Sequence, residues 1–166
     1  GMPQMVALLN GFGGAASALV AGAELWNMKQ RAMRTGAAEA DAAAWAAAQL
    51  APWTQFAIAT ALTGLIGAVT FWGSFIAFAK LEELPRFKQA WTDPRRHWIN
   101  LGLALATLLA GWGLCLHPTW MPLYLALVVL GSALGCTLTM PIGGADMPVV
   151  ICLLNSYSGL AAAAAG

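Results

Sequence analysis

The chain alternates long apolar runs with short polar segments. A helix that crosses a bilayer needs about 20 mostly apolar residues. Five runs approach or exceed that length: 3–26, 53–79, 98–116, 119–140 and 147–166. Four of them contain no Lys, Arg, Asp or Glu, and the first holds only Glu24, near its end. Trp26, Trp53, Trp98 and Trp120 sit at run ends, where an amphipathic ring favours the headgroup region. The pattern predicts an all-α fold, a polytopic transmembrane helix bundle of about five spans, forming one transmembrane unit over residues 1–166.

The connections differ in character. Residues 29–51 begin with a polar turn and continue as AAEADAAAWAAAQ, an alanine-rich stretch expected to form a short helix outside the membrane core. Residues 81–97 are charged and contain proline, the composition of a loop. His117-Pro118 predicts a tight turn, and PIGGAD, residues 141–146, a short glycine-rich one. The segment around the second loop carries Lys80, Arg86, Lys88, Arg95 and Arg96, against Lys29, Arg31 and Arg34 between the first two spans. Positive residues favour the cytoplasmic side. The start of the first span, the 80–97 segment and the PIGGAD turn are therefore expected to face the cytoplasm.

Composition sharpens this picture. Hydrophobic residues make up 60% of the chain and charged residues 9%, whereas a soluble domain carries about 25% charged. So little charge calls for a lipid bilayer over much of the surface. A net charge of +1 gives no footprint for nucleic acid. Cys115, Cys136 and Cys152 form no CxxC pair and are expected as buried thiols, neither a disulfide framework nor a zinc site; no metal site is predicted. Both ends read as cuts in a longer chain: the sequence opens inside an apolar run and stops in Ala161 to Ala165 and Gly166.

The first and fifth runs resemble each other. MPQMVALLNGFGGAASALVAG starts at Met2 and MPVVICLLNSYSGLAAAAAG at Met147, with Met-Pro, Leu-Leu-Asn and a later Gly at matching offsets. Repeats of this kind mark many transporter folds, with the site at the repeat interface. Three spans separate the copies, so both run in the same direction. Asn10 and Asn155 are then equivalent in depth, roughly 12 Å along each helix at about 1.5 Å per residue. A buried Asn in a membrane helix often serves only as interhelical glue, contributing about 0.6 to 2 kcal/mol. Two amides at matched depth favour a polar path, and both are expected to face the bundle interior.

Other positions carry two readings each. Asp146, before Met147-Pro148, suits a helix N-cap; it also suits a titratable group at the mouth of the fifth helix, made mobile by Gly143 and Gly144. Residues 155–158, Asn-Ser-Tyr-Ser, are polar for a span, so at least one of Ser156, Tyr157 and Ser158 should meet a neighbouring helix or water. Thr60, Thr63, Thr70 and Ser74 can bond back to their own helix and read as structural. Glu24 reads as a wetted carboxylate at the far face, and His97 and His117 as interfacial. Gly131-x-x-x-Gly135 and the series Gly14, Ala18, Gly22 permit close helix approach, expected against neighbouring copies or a partner subunit. GFGG at 11–14 lies within a span with no strand before it, so it is not a nucleotide loop.

Three blocks together resemble one family. PIGGADMPVVICLLNSYSGLAAAAAG (141–166), IGAVTFWGSFIAFAKL (66–81) and MPQMVALLNGFGGAASALVAG (2–22) are similar, in their order along the chain, to blocks of the β subunit of proton-translocating NAD(P) transhydrogenase. The resemblance implies the membrane part of an enzyme that transfers hydride between NADH and NADP⁺ in soluble domains and couples this to proton movement. It implies that some β helices before Met2, one after Gly166 and the NADP(H)-binding domain lie outside this sequence. No cofactor would then bind the fragment itself, while NADP(H) and NAD(H) serve the full enzyme. Implied partners are α-subunit membrane helices, the NADP(H)-binding domain of the same subunit, and a second copy of the complex in a homodimer. The implied location is the bacterial inner membrane. The Asn of LLNSYSG, here Asn155, is implicated in the proton path, and the Asp of GGADMP, here Asp146, in coupling to the NADP(H) domain beside Gly143 and Gly144. The expected path comprises Asn10, Asn155, Ser156 and Ser158. Where the family often has a His in its first block, this sequence has Asn10, whose amide cannot exchange a proton near neutral pH. A secondary transporter or channel with a polar intramembrane site is the alternative, and a membrane anchor for soluble domains a third.

Overall fold

Each apolar run becomes a helix, because in lipid an intrahelical ladder is one of two ways to satisfy every backbone N–H and C=O. The structure, a computed structural model, describes residues 1–34, 53–87, 91, 93–117 and 120–165. The helices are α1 (Met2–Arg34), α2 (Trp53–Leu81), α3 (Arg96–Leu116), α4 (Met121–Thr139) and α5 (Met147–Ala165), with a single 3-10 turn, Gly144–Asp146, leading into α5. No strand occurs among the described residues. Within them, α1 to α4 are each long and apolar enough to cross a membrane. Helix α5 has 19 residues, about 28 Å at about 1.5 Å per residue, close to the thickness of a bilayer's hydrocarbon core. The alanine-rich stretch expected as a short extramembrane helix lies outside the described residues, as does Pro118.

Helix ends depart from the apolar runs where local chemistry says they should. Helix α1 continues past Trp26 to Arg34 because no Gly or Pro interrupts it, and Arg31 and Arg34 occupy its last turn, where cations offset the negative end of the helix dipole. Helix α3 begins at Arg96, inside the segment expected as loop. The Asp93 carboxylate accepts a hydrogen bond from Arg95 N–H at 2.7 Å, a short Asx turn that starts the helix before its apolar part. Trp98 and Trp120 are exposed at helix ends, and Trp26 is exposed about two turns before the end of α1, consistent with aromatic rings at an interface.

Helix α2 is the centre of the bundle and packs against all four other helices. Small residues allow this. A Cβ added at Gly14 would lie 2.7 Å from the Gly67 carbonyl oxygen, and one at Gly67 would lie 2.6 Å from that of Gly14. The backbones of α1 and α2 therefore touch at this crossing. Helix α4 approaches α2 the same way: a Cβ added at Gly135 would lie 2.7 Å from the Val69 carbonyl oxygen. Gly22 and Gly64 make room for the Tyr124 ring, whose hydroxyl donates to the Ala18 carbonyl oxygen. The glycine faces expected to bind other subunits are thus taken up within this chain. The correction has a simple cause: a small-residue face seats whichever helix the loops bring nearest, and here that helix is α2.

Both copies of the repeat pack on α2 and start at the same end of the bundle. Ala7 of α1, Ala77 of α2, and Met147 and Ile151 of α5 form one buried cluster there, and the Gln4 amide donates to the Leu81 carbonyl oxygen at 3.4 Å. The start of α1, the end of α2 and the PIGGAD turn share this end, as the loop sequence requires.

Candidate functional site

The polar side chains of α1, α2 and α5 meet inside the bundle. Asn10 is buried, and its amide nitrogen donates to Ser74 Oγ at 2.9 Å. Ser74 and Thr70, one turn apart on α2, are fully buried. The Ser158 hydroxyl lies 3.5 Å from Asn10 Oδ1 and 3.4 Å from Thr70 Oγ1, and it also reaches the Leu154 carbonyl oxygen at 2.8 Å. A hydroxyl carries one hydrogen, so Ser158 can serve only one of these three acceptors strongly at a time. By rotation it links Thr70, Asn10 and its own backbone in alternative arrangements.

Each member is positioned by helical spacing. Residues 67, 70 and 74 recur at three and four on α2, the rows that share a face. Gly67 touches α1, and this brings Thr70 and Ser74 against it. A Cβ at Gly11 would lie 3.3 Å from Ser74 Cβ, so the glycine next to Asn10 lets the two helices approach closely enough for the amide to reach the hydroxyl. On α5 the inward residues are Met147, Ile151, Leu154 and Ser158, spaced four, three and four, of which the first three are buried.

Asn155 falls beside that row, and its side chain is exposed. Within the described bundle Asn10 faces the interior, whereas Asn155 lies on the open side of α5. The repeat matches the two amides in sequence, but the face that α5 turns to α2 is its apolar row. The α5 group that meets Asn10 is Ser158, three residues beyond Asn155. Ser156 is also exposed, and its hydroxyl bonds back to the Cys152 carbonyl oxygen at 3.0 Å. Of the four residues expected on a path, the structure unites Asn10 and Ser158 and leaves Asn155 and Ser156 on the open side of α5. Thr70 and Ser74 belong to the cluster although their sequence reads as structural; their three-and-four spacing with Gly67 was the available signal.

At the shared helix end, the Asp146 carboxylate is exposed and has no hydrogen-bond partner among the described residues. It lies in the 3-10 turn, and Met147 continues that turn with α-helical angles, φ −59° and ψ −37°. The N-cap reading is thereby corrected, since a residue already in helical conformation does not aim its side chain back at the first free N–H groups. Gly143 and Gly144 are exposed beside it. A cleft of about 390 Å³ opens here, lined by Lys80, Leu81, Glu83, Phe87, Gly144 and Ala145. At the far end Glu24 and His117 are exposed, and His97, in the first turn of α3 at the shared end, is exposed as well.

All three cysteines are free thiols; Cys115 and Cys136 are half-buried and Cys152 is exposed, less enclosed than their apolar surroundings in sequence suggest. No group of three or more His, Cys, Asp or Glu able to hold a metal occurs among the described residues. The intramembrane cluster contains only amide and hydroxyl groups. It can donate, accept and order water, but it cannot itself hold a proton near neutral pH.

The family model described as NAD(P) transhydrogenase beta subunit matches residues 1–166. A protein named NAD(P) transhydrogenase subunit beta from Rhodospirillum rubrum is 45% identical over 101 residues, which is 61% of this chain and 21% of the relative. A second sequence of that name, from a defined strain of the species, is likewise 45% identical over 101 residues. The chain matches only about a fifth of the length of these curated relatives.

Proposed function

Since the chain belongs to the NAD(P) transhydrogenase beta subunit family, we propose that it is the membrane part through which that enzyme moves protons, coupled to hydride transfer between NADH and NADP⁺ in soluble domains. One observation supports this best: the cluster of Asn10, Thr70, Ser74 and Ser158, a polar seam between α1, α2 and α5 within apolar helices. Ordering water along such a seam is a task this chemistry can perform. Because no member is titratable near neutral pH, the charge travels on water or on a group from a further helix. Asn155 and Ser156, on the open side of α5, are where a helix of the α subunit or of this subunit would extend the path. Asp146, with Gly143 and Gly144, forms the contact for the NADP(H)-binding domain on the cytoplasmic side of a bacterial inner membrane. The complex works as a homodimer in this reading, with NADP(H) and NAD(H) bound outside this segment.

Thr70→Val and Ser158→Ala in the full enzyme test the path. Each removes a hydroxyl and nearly preserves volume, so assembly should persist, while proton pumping coupled to hydride transfer falls severalfold. If the cluster is only interhelical glue, these variants lose thermal stability and pump normally once assembled. Wild-type pumping in both variants would refute the path.

A further inference from the structure

Lys80 stands in sequence among the positive charges of a loop, yet its side chain is buried, with 6% exposure. It lies in the last turn of α2. Its ammonium donates to the carbonyl oxygens of Thr139, Met140 and Ile142, so all three of its hydrogens have an acceptor. These acceptors lie at the end of α4 and the beginning of the turn to α5, where a helix leaves its last C=O groups without an intrahelical partner and its dipole favours a cation; the Thr139 and Met140 oxygens also accept from the Ile142 and Trp91 N–H groups. The backbone of Lys80 lies close to the same turn: a Cβ at Gly144 would lie 3.7 Å from the Lys80 carbonyl oxygen. One residue of α2 thus bonds the 139–142 backbone and lies beside Gly144.

The consequence reaches the polar cluster. Helix α5 begins immediately after this turn and carries Ser158, while α2 carries Thr70 and Ser74. Lys80 lies six residues from Ser74 on one continuous helix, about 9 Å at about 1.5 Å per residue. The turn is the only covalent link from α4 to α5, so fixing it to α2 fixes where α5 starts against α2. The Ser158–Thr70 separation of 3.4 Å is already at the long edge of a hydrogen bond, and a small slip of α5 would break it.

We propose that Lys80 is a positioning residue for the proton path: its ammonium clamps the α4–α5 turn onto α2 and thereby sets Ser158 against Thr70 and Asn10. This rests on the polar cluster being the path. The clamp would also transmit a push on the Asp146 turn directly to α2.

The test compares Lys80→Met and Lys80→Arg in the full enzyme, with a spin label at Ala145→Cys in a cysteine-free background. Ala145 is exposed and lines the cleft beside Lys80. Lys80→Met should assemble, show a more mobile label, and pump at least about fivefold fewer protons per hydride, the low end of typical site-to-site coupling. Lys80→Arg, which keeps the charge and can still reach carbonyls, should restore both readouts in large part. Should Lys80→Met fail to assemble, Lys80→Gln carries the same comparison with a shorter, neutral donor. An unchanged label in the neutral variant overturns the clamp. A mobile label with wild-type pumping overturns the positioning role, provided Thr70→Val does reduce pumping. If Thr70→Val also pumps normally, the path itself is wrong, and Lys80 positions nothing for it.

Discussion

Along the α1–α2 seam, two halves built from the same pair of helices solve opposite problems. In the half beyond Gly14 and Gly67, the backbones touch and Tyr124 fills the space left by Gly22 and Gly64. Around it lie Ala21, Leu25, Ala61, Ala110, Leu114 and Leu127, all buried. In the other half the seam holds Asn10, Thr70, Ser74 and Ser158, then Ala7, Ala77, Met147 and Ile151, and ends at the Lys80 clamp. Helix propensity and hydropathy hardly distinguish the halves. What distinguishes them is whether side chains vanish at the contact or bond across it. Lipid offers no hydrophobic drive for helix association, so stability must come from close packing or from interhelical hydrogen bonds. The glycine half uses packing and closes the seam to water. The polar half uses hydrogen bonds and leaves groups that can order water. The Gly14–Gly67 crossing lies at the boundary, since a Cβ on Gly14 would also lie 2.9 Å from Thr70 Cβ.

The comparison breaks most severely at that crossing. A leucine at Gly14 must displace backbone rather than a flexible side-chain end, because the nearest atoms are the Gly67 carbonyl and the Phe71 amide nitrogen, at 2.7 and 2.9 Å. Overpacking a tight site costs about 1–3 kcal/mol, and separating two helices along their length should exceed the upper end of that range. Gly14→Leu is expected to lower the unfolding temperature in detergent steeply or to prevent folding. Gly102→Ala is the control, since nothing lies within 4 Å of its added Cβ. Equal stabilities in the two variants would show that α1 and α2 do not cross at this point.

A smaller effect is expected in the polar half. Interhelical hydrogen bonds in membranes average about 0.6 kcal/mol and reach about 2. A double-mutant cycle with Asn10→Leu and Ser74→Ala should give a coupling energy in that range, because their 2.9 Å contact is the shortest side-chain pair in the cluster. Additive effects of the two substitutions would mean that the pair is not formed. The contrast with Gly14→Leu sharpens the division: the polar half is expected to contribute less to stability than the glycine half.

Much of the fold was legible because its determinants are local. Apolar run length identified the helices, Trp98 and Trp120 marked helix ends and Trp26 the end of an apolar run, and Gly14, Gly22 and Gly135 announced close approach. The partner of each close approach was not legible, since small-residue faces state a distance and not an identity. The site was half legible for the same reason. Asn10 stood out as an amide within a span, but Thr70 and Ser74 have hydroxyls that their own helix can satisfy, and only the α1–α2 register makes them partners of Asn10. Lys80 was read by its charge as a loop residue, although its place one residue before the end of a helix, with the carbonyls of the α4 end and the following turn across from it, is what decides its burial. Asn155 was placed inward by its match to Asn10, whereas the inward face of α5 is decided by which row fits α2.

The smallest expected effect concerns Asn155. Its exposed side chain bonds to nothing among the described residues. Substitutions away from packed or bonded features usually change stability by no more than about 0.5 kcal/mol. Asn155→Leu should therefore leave the unfolding temperature of residues 1–166 in detergent almost unchanged, or raise it slightly as an amide leaves an apolar surface. The same substitution in the full enzyme asks a different question. If the open side of α5 faces lipid, leucine is better suited there than asparagine, and both assembly and pumping persist. If a further helix covers that side and meets the amide, the full enzyme should lose pumping while the isolated bundle stays as stable as before. A large loss of stability in the isolated bundle would instead place Asn155 within the packed interior and return the two repeat amides to equivalent roles.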